Sequence, residues 1–285
     1  MKLFIKQKPV LAFFIFTFIL SWTGVAIFAF ITGMPAPSKL FEKTWPIAFI
    51  PYLLGPATIS LLLTGIIHGK AGFLELKLRF LRWRVNIGWY VFAIVMLPGL
   101  VSVTLFVFSR FSPKFIPDII TTDNKIGLII QGIAIGFFGG GLLEETGWTG
   151  FATPKLRARY GIFKTGLIIG LLWGLWHFLP VFWGCGDETG KFNWAQFLPG
   201  VFFYYTGAPA YRILLVWVHD STKSMIPVAL MHMSLSASLF FIFNIPQNGL
   251  PASLYYLVLS AALWIIVGII FSQKQKPEGA RNIER

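Results

Sequence analysis

Gly139-Gly140-Gly141-Leu142-Leu143-Glu144-Glu145-Thr146-Gly147-Trp148-Thr149-Gly150 sets two adjacent carboxylates inside an otherwise apolar run. An ionised carboxylate in a low-dielectric interior forfeits its hydration unless it is paired, hydrogen-bonded or neutralised, so a chain that keeps two there has a use for at least one. Composition says that this interior is a bilayer. Of 285 residues, 56% are hydrophobic and 12% charged, against roughly 25% charged in an average soluble domain, and the mean hydropathy is +0.72. Apolar runs this long and frequent cannot be covered by the chain's own polar surface. The expected fold is all-α: a polytopic bundle of about eight transmembrane helices forming a single membrane domain over residues 1–285.

Working outward from the carboxylates, the spans fall at residues 10–31, 47–67, 87–108, 126–151, 163–183, 197–218, 224–243 and 253–271. The first run follows Lys2, Lys6 and Lys8, as a secretory signal would. It is longer than the roughly 7–15 residues of a signal core and has no small-x-small cleavage site, so it reads as a membrane helix. With the N-terminus cytoplasmic, the inner connections and termini hold 17 Lys and Arg, the outer ones six, and Arg212 lies within a span. That bias predicts a multi-pass protein of the cell membrane with both termini in the cytoplasm.

The same count disposes of nucleic acid as a partner. The net charge of +13 resides where the positive-inside rule puts it. Residues 72–84 alternate bulky apolar with basic side chains, which predicts an interfacial helix against anionic headgroups of the lipid bilayer. The single cysteine, Cys185, has no intrachain disulfide partner, and redox chemistry is not expected. The polar tail after Ser272 is expected to be disordered.

Of eleven acids, Glu144 and Glu145 alone lie within an apolar span, and of four histidines only His177 and His232 lie well inside one. Intramembrane ionisable residues are functional candidates. If the helix of Glu144 runs on to a turn at Gly161, Glu144 and His177 both sit roughly 24–26 Å from that turn, facing each other across an antiparallel hairpin. His232 lies roughly 12–18 Å from the turn at 219–224 and reaches the same layer if helices tilt. Neighbouring residues on a helix point about 100° apart, so Glu144 and Glu145 cannot aim at one centre; one is chemical and the other supportive. Glycines at 139–141, 147, 150, 166, 170 and 174 let helices approach closely. Arg212 is expected to pair with an acid or to reach the interface, with binding of a substrate carboxylate the lesser alternative.

Three motifs then carry a family resemblance: Glu144-Glu145-Thr146-Gly147-Trp148-Thr149, Trp173-Gly174-Leu175-Trp176-His177 and His232-Met233-Ser234-Leu235-Ser236. In this order, over residues 126–243, the chain resembles the CPBP intramembrane proteases. These include the type II CAAX prenyl endopeptidases and the Abi-type immunity proteins, whose pattern is Glu-Glu-x-x-x-Arg, Phe-x-x-x-His and His-x-x-x-Asn. Thr149 stands where the pattern has Arg and removes a charge that would pair Glu145. Trp173 replaces Phe and keeps an aromatic wall. Ser236 replaces Asn and keeps a hydroxyl donor on a shorter arm.

The resemblance implies an intramembrane endopeptidase acting on a membrane-associated or lipidated peptide or protein. Glu144 would activate a water, His177 would orient it or share its proton, and His232 with Ser236 would bind the oxyanion. Glu145, Trp173 and Thr149 would support them. The family has been described both as glutamate-dependent and as metalloprotease. A metal-free site is expected here, because there is no His-Glu-x-x-His pair; zinc on Glu144, His177 and His232 is the alternative, since one carboxylate, two histidines and a water form a catalytic zinc set. Rival classes are a non-catalytic scaffold or bacteriocin immunity factor, suggested by Thr149 and Ser236, and a proton-coupled transporter, against which stands the lack of an inverted repeat.

Overall fold

The computed structural model describes residues 1–245 and 248–274. The tail expected to be disordered begins after Ser272; Gln273 and Lys274 instead continue the last helix, and the remainder, 275–285, lies outside the described residues. Within them the protein is an all-α polytopic bundle, and the nearest approach to sheet is one isolated bridge, Gly186 with Phe192.

Helix α1 spans Pro9–Thr32, α2 Ser38–Leu81, α3 Ile87–Ser109, α4 Lys125–Arg157, α5 Ile162–Trp183, α6 Trp194–Thr222, α7 Ile226–Ile242 and α8 Gly249–Lys274. Local chemistry sets several of their ends. Pro9 opens α1, where a missing N–H costs nothing. The side chains of Asn86, Asn124 and Asn193 each accept from a backbone N–H in the first turn of α3, α4 and α6. The eight expected spans correspond to these eight helices, with one difference. Seven are long and apolar enough to cross a bilayer, whereas α7 is a shorter apolar helix. It is walled in by α3, α4 and α6, and polar backbone at membrane depth is tolerated where protein covers it.

The interfacial helix expected over 72–84 is the continuation of α2. The chain breaks direction at Gly69 (φ 57, ψ −144), a conformation open to glycine and strained for other residues. Beyond it Gly72 and Leu76 are buried while Leu74, Lys77 and Leu78 are exposed.

The connections sort into two groups. At one end, Met225 N donates to Arg79 O, Ser224 Oγ to Arg82 O, Arg79 Nη1 to Gly150 O, and Arg157 pairs with Asp220. The other group holds two pairs: Ala36 N on Trp183 O with Ser38 N on Asp187 O, and Asp118 joined to Asn244. Each bond joins connections assigned to the same side, as the alternation of eight crossings requires.

Glycine allows the closest packing. A Cβ on Gly166, Gly170 or Gly174 of α5 would come within 2.5 Å of Ile213 Cα, 2.5 Å of Pro209 Cα or 2.3 Å of Tyr204 O on α6. Likewise Gly136 and Gly141 press α4 against the backbone of α7, where a Cβ would lie 2.8 Å from Met233 O or 2.6 Å from Ala229 O.

Candidate active site

Helix α4 is irregular where it matters. Two π-helical stretches, Gly136–Glu144 and Trp148–Ala152, flank the short α-helical Glu145–Gly147. Such wide turns recur at functional sites, and the glycine run that makes this one pliable also admits the His232 ring. A Cβ on Gly140 would stand 2.6 Å from His232 Cδ2, 2.7 Å from its Nε2 and 3.0 Å from Ser236 Oγ.

Glu144 is 5% exposed and Glu145 is fully buried. One oxygen of Glu144, Oε2, accepts from two indoles, Trp173 Nε1 at 2.7 Å and Trp148 Nε1 at 3.1 Å. Its other oxygen, Oε1, faces His232 Nε2 at 3.9 Å, beyond hydrogen-bond reach. The second carboxylate is held on every side. Arg212 Nη1 lies 2.8 Å from both of its oxygens, His232 Nδ1 is 2.6 Å from Oε1, and Thr149 Oγ1 donates to Oε2. The expectation that Glu144 and Glu145 cannot aim at one centre is not met. The ring of His232 lies between them and turns one nitrogen toward each.

His177 is placed differently from the hairpin count. No hydrogen bond or ion pair among the described residues joins it to Glu144. Its Nδ1 lies 2.9 Å from Trp173 O, and since a carbonyl only accepts, that nitrogen carries the proton and Nε2 keeps its lone pair. The ring stacks on Tyr204 at 4.2 Å and stands edge-on to Trp173 at 5.3 Å. The residue of α5 level with Glu144 is Trp173, one turn earlier. The count assumed regular helix up to Gly161, whereas α4 ends at Arg157 and winds through π-helical turns that put more residues into each turn.

Ser236 is half-buried on the face of His232, four residues on, and its hydroxyl has no hydrogen-bond partner among the described residues. Two features escaped the sequence reading. The Trp173 indole N–H is a donor as well as a wall, and Trp148 donates to the same oxygen; the i to i+4 spacing of Glu144 and Trp148 carried that signal. Arg212 was expected to find an acid, but not this one.

The zinc set of Glu144, His177 and His232 does not fit this arrangement. Among the described residues no three His, Cys, Asp or Glu side chains stand together as a metal ion needs. His177 is turned to Trp173 and Tyr204, and only Glu144 and His232 face one another.

Residues 126–238, which hold all three motifs, match the family model described as Type II CAAX prenyl endopeptidase Rce1-like. Over 251 residues the chain is 26% identical to CAAX prenyl protease 2 of Methanococcus maripaludis, an alignment covering 80% of this chain and 82% of that relative. Both comparisons agree with the resemblance read from the motifs.

Proposed function

We propose that this protein is an intramembrane endopeptidase that hydrolyses a peptide bond in a membrane-associated, lipidated substrate without a metal. The observation that carries the reading is the asymmetry of Glu144: two indole donors fix Oε2 and leave Oε1 free. A water at Oε1 gives up a proton to Glu144 as its oxygen attacks the peptide carbonyl, and the Nε2 lone pair of His177 accepts its other hydrogen bond. The resulting oxyanion takes hydrogen bonds from His232 Nε2–H and Ser236 Oγ–H. Glu144 then hands its proton to the amide nitrogen, the C–N bond breaks, and an acid and an amine leave.

In this reading His232 donates from both nitrogens, Nδ1–H to Glu145 and Nε2–H to the oxyanion. Arg212 supports a working site over an eroded one, because it gives Glu145 the cation that Thr149 does not. The scaffold reading loses its main argument there. The CAAX relatives motivate a prenylated protein substrate, and the bias of basic residues toward one side motivates the cell membrane as location and cytoplasmic termini.

The test is cleavage of a peptide bearing a prenylated cysteine by the protein in proteoliposomes. Glu144→Gln, which keeps the shape and removes the base, is expected to lower kcat by at least about a thousandfold while expression persists. Undiminished cleavage by that variant rejects the assignment. Prolonged treatment with a zinc chelator is expected to leave the rate unchanged; loss of cleavage, restored by stoichiometric zinc, rejects the metal-free mechanism.

A further inference from the structure

The sequence lacks an arginine where the family pattern places one, yet its buried glutamate does not lack a guanidinium. Glu145 is met by Arg212, which comes from α6 rather than from the next turn of α4. Both side chains are wholly buried, and among the described residues the pair is the one contact between a glutamate and an arginine at the site. Three observations fix the geometry. Arg212 Nη1 reaches both carboxylate oxygens at 2.8 Å. Its guanidinium lies over the Trp173 ring with Cζ 4.5 Å from the centroid. Gly170, whose missing Cβ would lie 3.2 Å from Arg212 Cβ, opens the space through which the side chain enters. Thr149 Oγ1 donates to the same Oε2 that Arg212 contacts, so the two side chains end at one oxygen.

We propose that Arg212 is a positioning residue that has taken over, from a different helix, the role of the cation the family pattern carries at position 149, and that it sets His232 through Glu145. An arginine held on both carboxylate oxygens holds Glu145 in place. Glu145 then accepts from His232 Nδ1, which turns Nε2 toward Glu144. In the same place, its flat face stacked on Trp173 steadies the indole that donates to Glu144. Arg212 touches no reacting atom. Fully buried, it is closed to a substrate carboxylate, so the binding role weighed for it from the sequence is dropped.

The activity part of this inference rests on the proposed endopeptidase reading, and the test separates the two. Arg212→Thr, the exchange variant Thr149→Arg/Arg212→Thr, and Glu145→Gln with and without Arg212→Thr are compared on the prenylated peptide in proteoliposomes, with thermal unfolding in detergent alongside. Arg212→Thr is expected to lower kcat by about a hundredfold with KM within about threefold, because a positioning group acts in the transition state more than in binding. The exchange variant, which moves the same two side chains between the same two positions, is expected to regain at least about tenfold of that rate and to melt higher than Arg212→Thr. In the Glu145→Gln background, Arg212→Thr should change kcat by less than about threefold, since its path of action is gone. Arg212→Thr within about twofold of the parent overturns the proposal, as does an exchange variant that folds but is no faster than the single. Should Arg212→Thr fail to fold, recovery of both expression and cleavage by the exchange supports the proposal, and a folded, inactive exchange overturns it. If the parent does not cleave the probe, the endopeptidase reading fails, and the melting temperatures of the exchange and single variants alone decide whether the cation has been relocated.

Discussion

Trp173 shows how a departure from a pattern can add to a site. Phenylalanine at that position could only pack, whereas the indole donates to Glu144 Oε2 at 2.7 Å and offers its face to Arg212. A hydrogen bond to a charged group contributes roughly 1.5–3 kcal/mol, and Trp148 remains to hold the same oxygen. Trp173→Phe, which restores the pattern residue, is therefore expected to slow kcat by about tenfold with KM little changed. Steady-state kinetics in proteoliposomes check this, and a rate equal to the parent's would mean that the indole is only a wall. At this scale the sequence showed which residues are expensive to bury, Glu144, Glu145 and His232, because the hydration they lose is a property of the residue alone. It could not show that Arg212 partners Glu145, because the two lie on non-adjacent helices and only packing brings them together.

The elements explain why that packing is available. Gly166, Gly170 and Gly174 recur every fourth residue along one face of α5, and α6 lies in the groove they leave. Sequence spacing made this contact legible as a small-residue face, but not which helix would fill it. The depth of the α4–α5 hairpin was misjudged for a related reason: the wide turns around Gly136–Glu144 depend on α7 pressing against Gly136 and Gly141, a tertiary effect that α-helical counting cannot contain. Gly170→Leu is expected to separate α5 from α6, since its Cβ would meet the backbone of Pro209 at 2.5 Å. Overpacking of this kind costs about 1–3 kcal/mol and would pull Arg212 off Glu145, so both the melting temperature and kcat should fall. Gly268→Leu on α8, where a Cβ meets nothing within 4 Å, serves as the control that leaves both in place. Equal behaviour of the two variants would refute the account of the groove.

For the whole molecule, the testable quantity is the direction in which the bundle sits in its membrane. Seven of the eight expected spans were legible because each of those apolar runs is long and is bounded by polar residues, whereas α7 is shorter. The orientation rests on the bias of 17 inner to six outer basic side chains, a property of connections that no single helix carries. The structure adds that connections assigned to the same side bond to one another, Arg79 and Arg82 with 224–225 on one side and Ser38 with Asp187 on the other. A helix that failed to cross between two of these connections would join connections of opposite assignment. The single cysteine makes the experiment clean: Cys185 is buried, and its thiol donates to Phe182 O, so Cys185→Ser leaves a background without reactive thiol. Into it go Glu188→Cys and Arg84→Cys, both at exposed positions in connections of opposite assignment. An impermeant maleimide is expected to label Glu188→Cys in intact cells and Arg84→Cys only after permeabilisation. The reverse pattern would invert the protein and place its basic face outside. Labelling of both in intact cells would break the alternation itself, and with it the shared depth at which α4, α5 and α7 bring Glu144, Trp173 and His232 together.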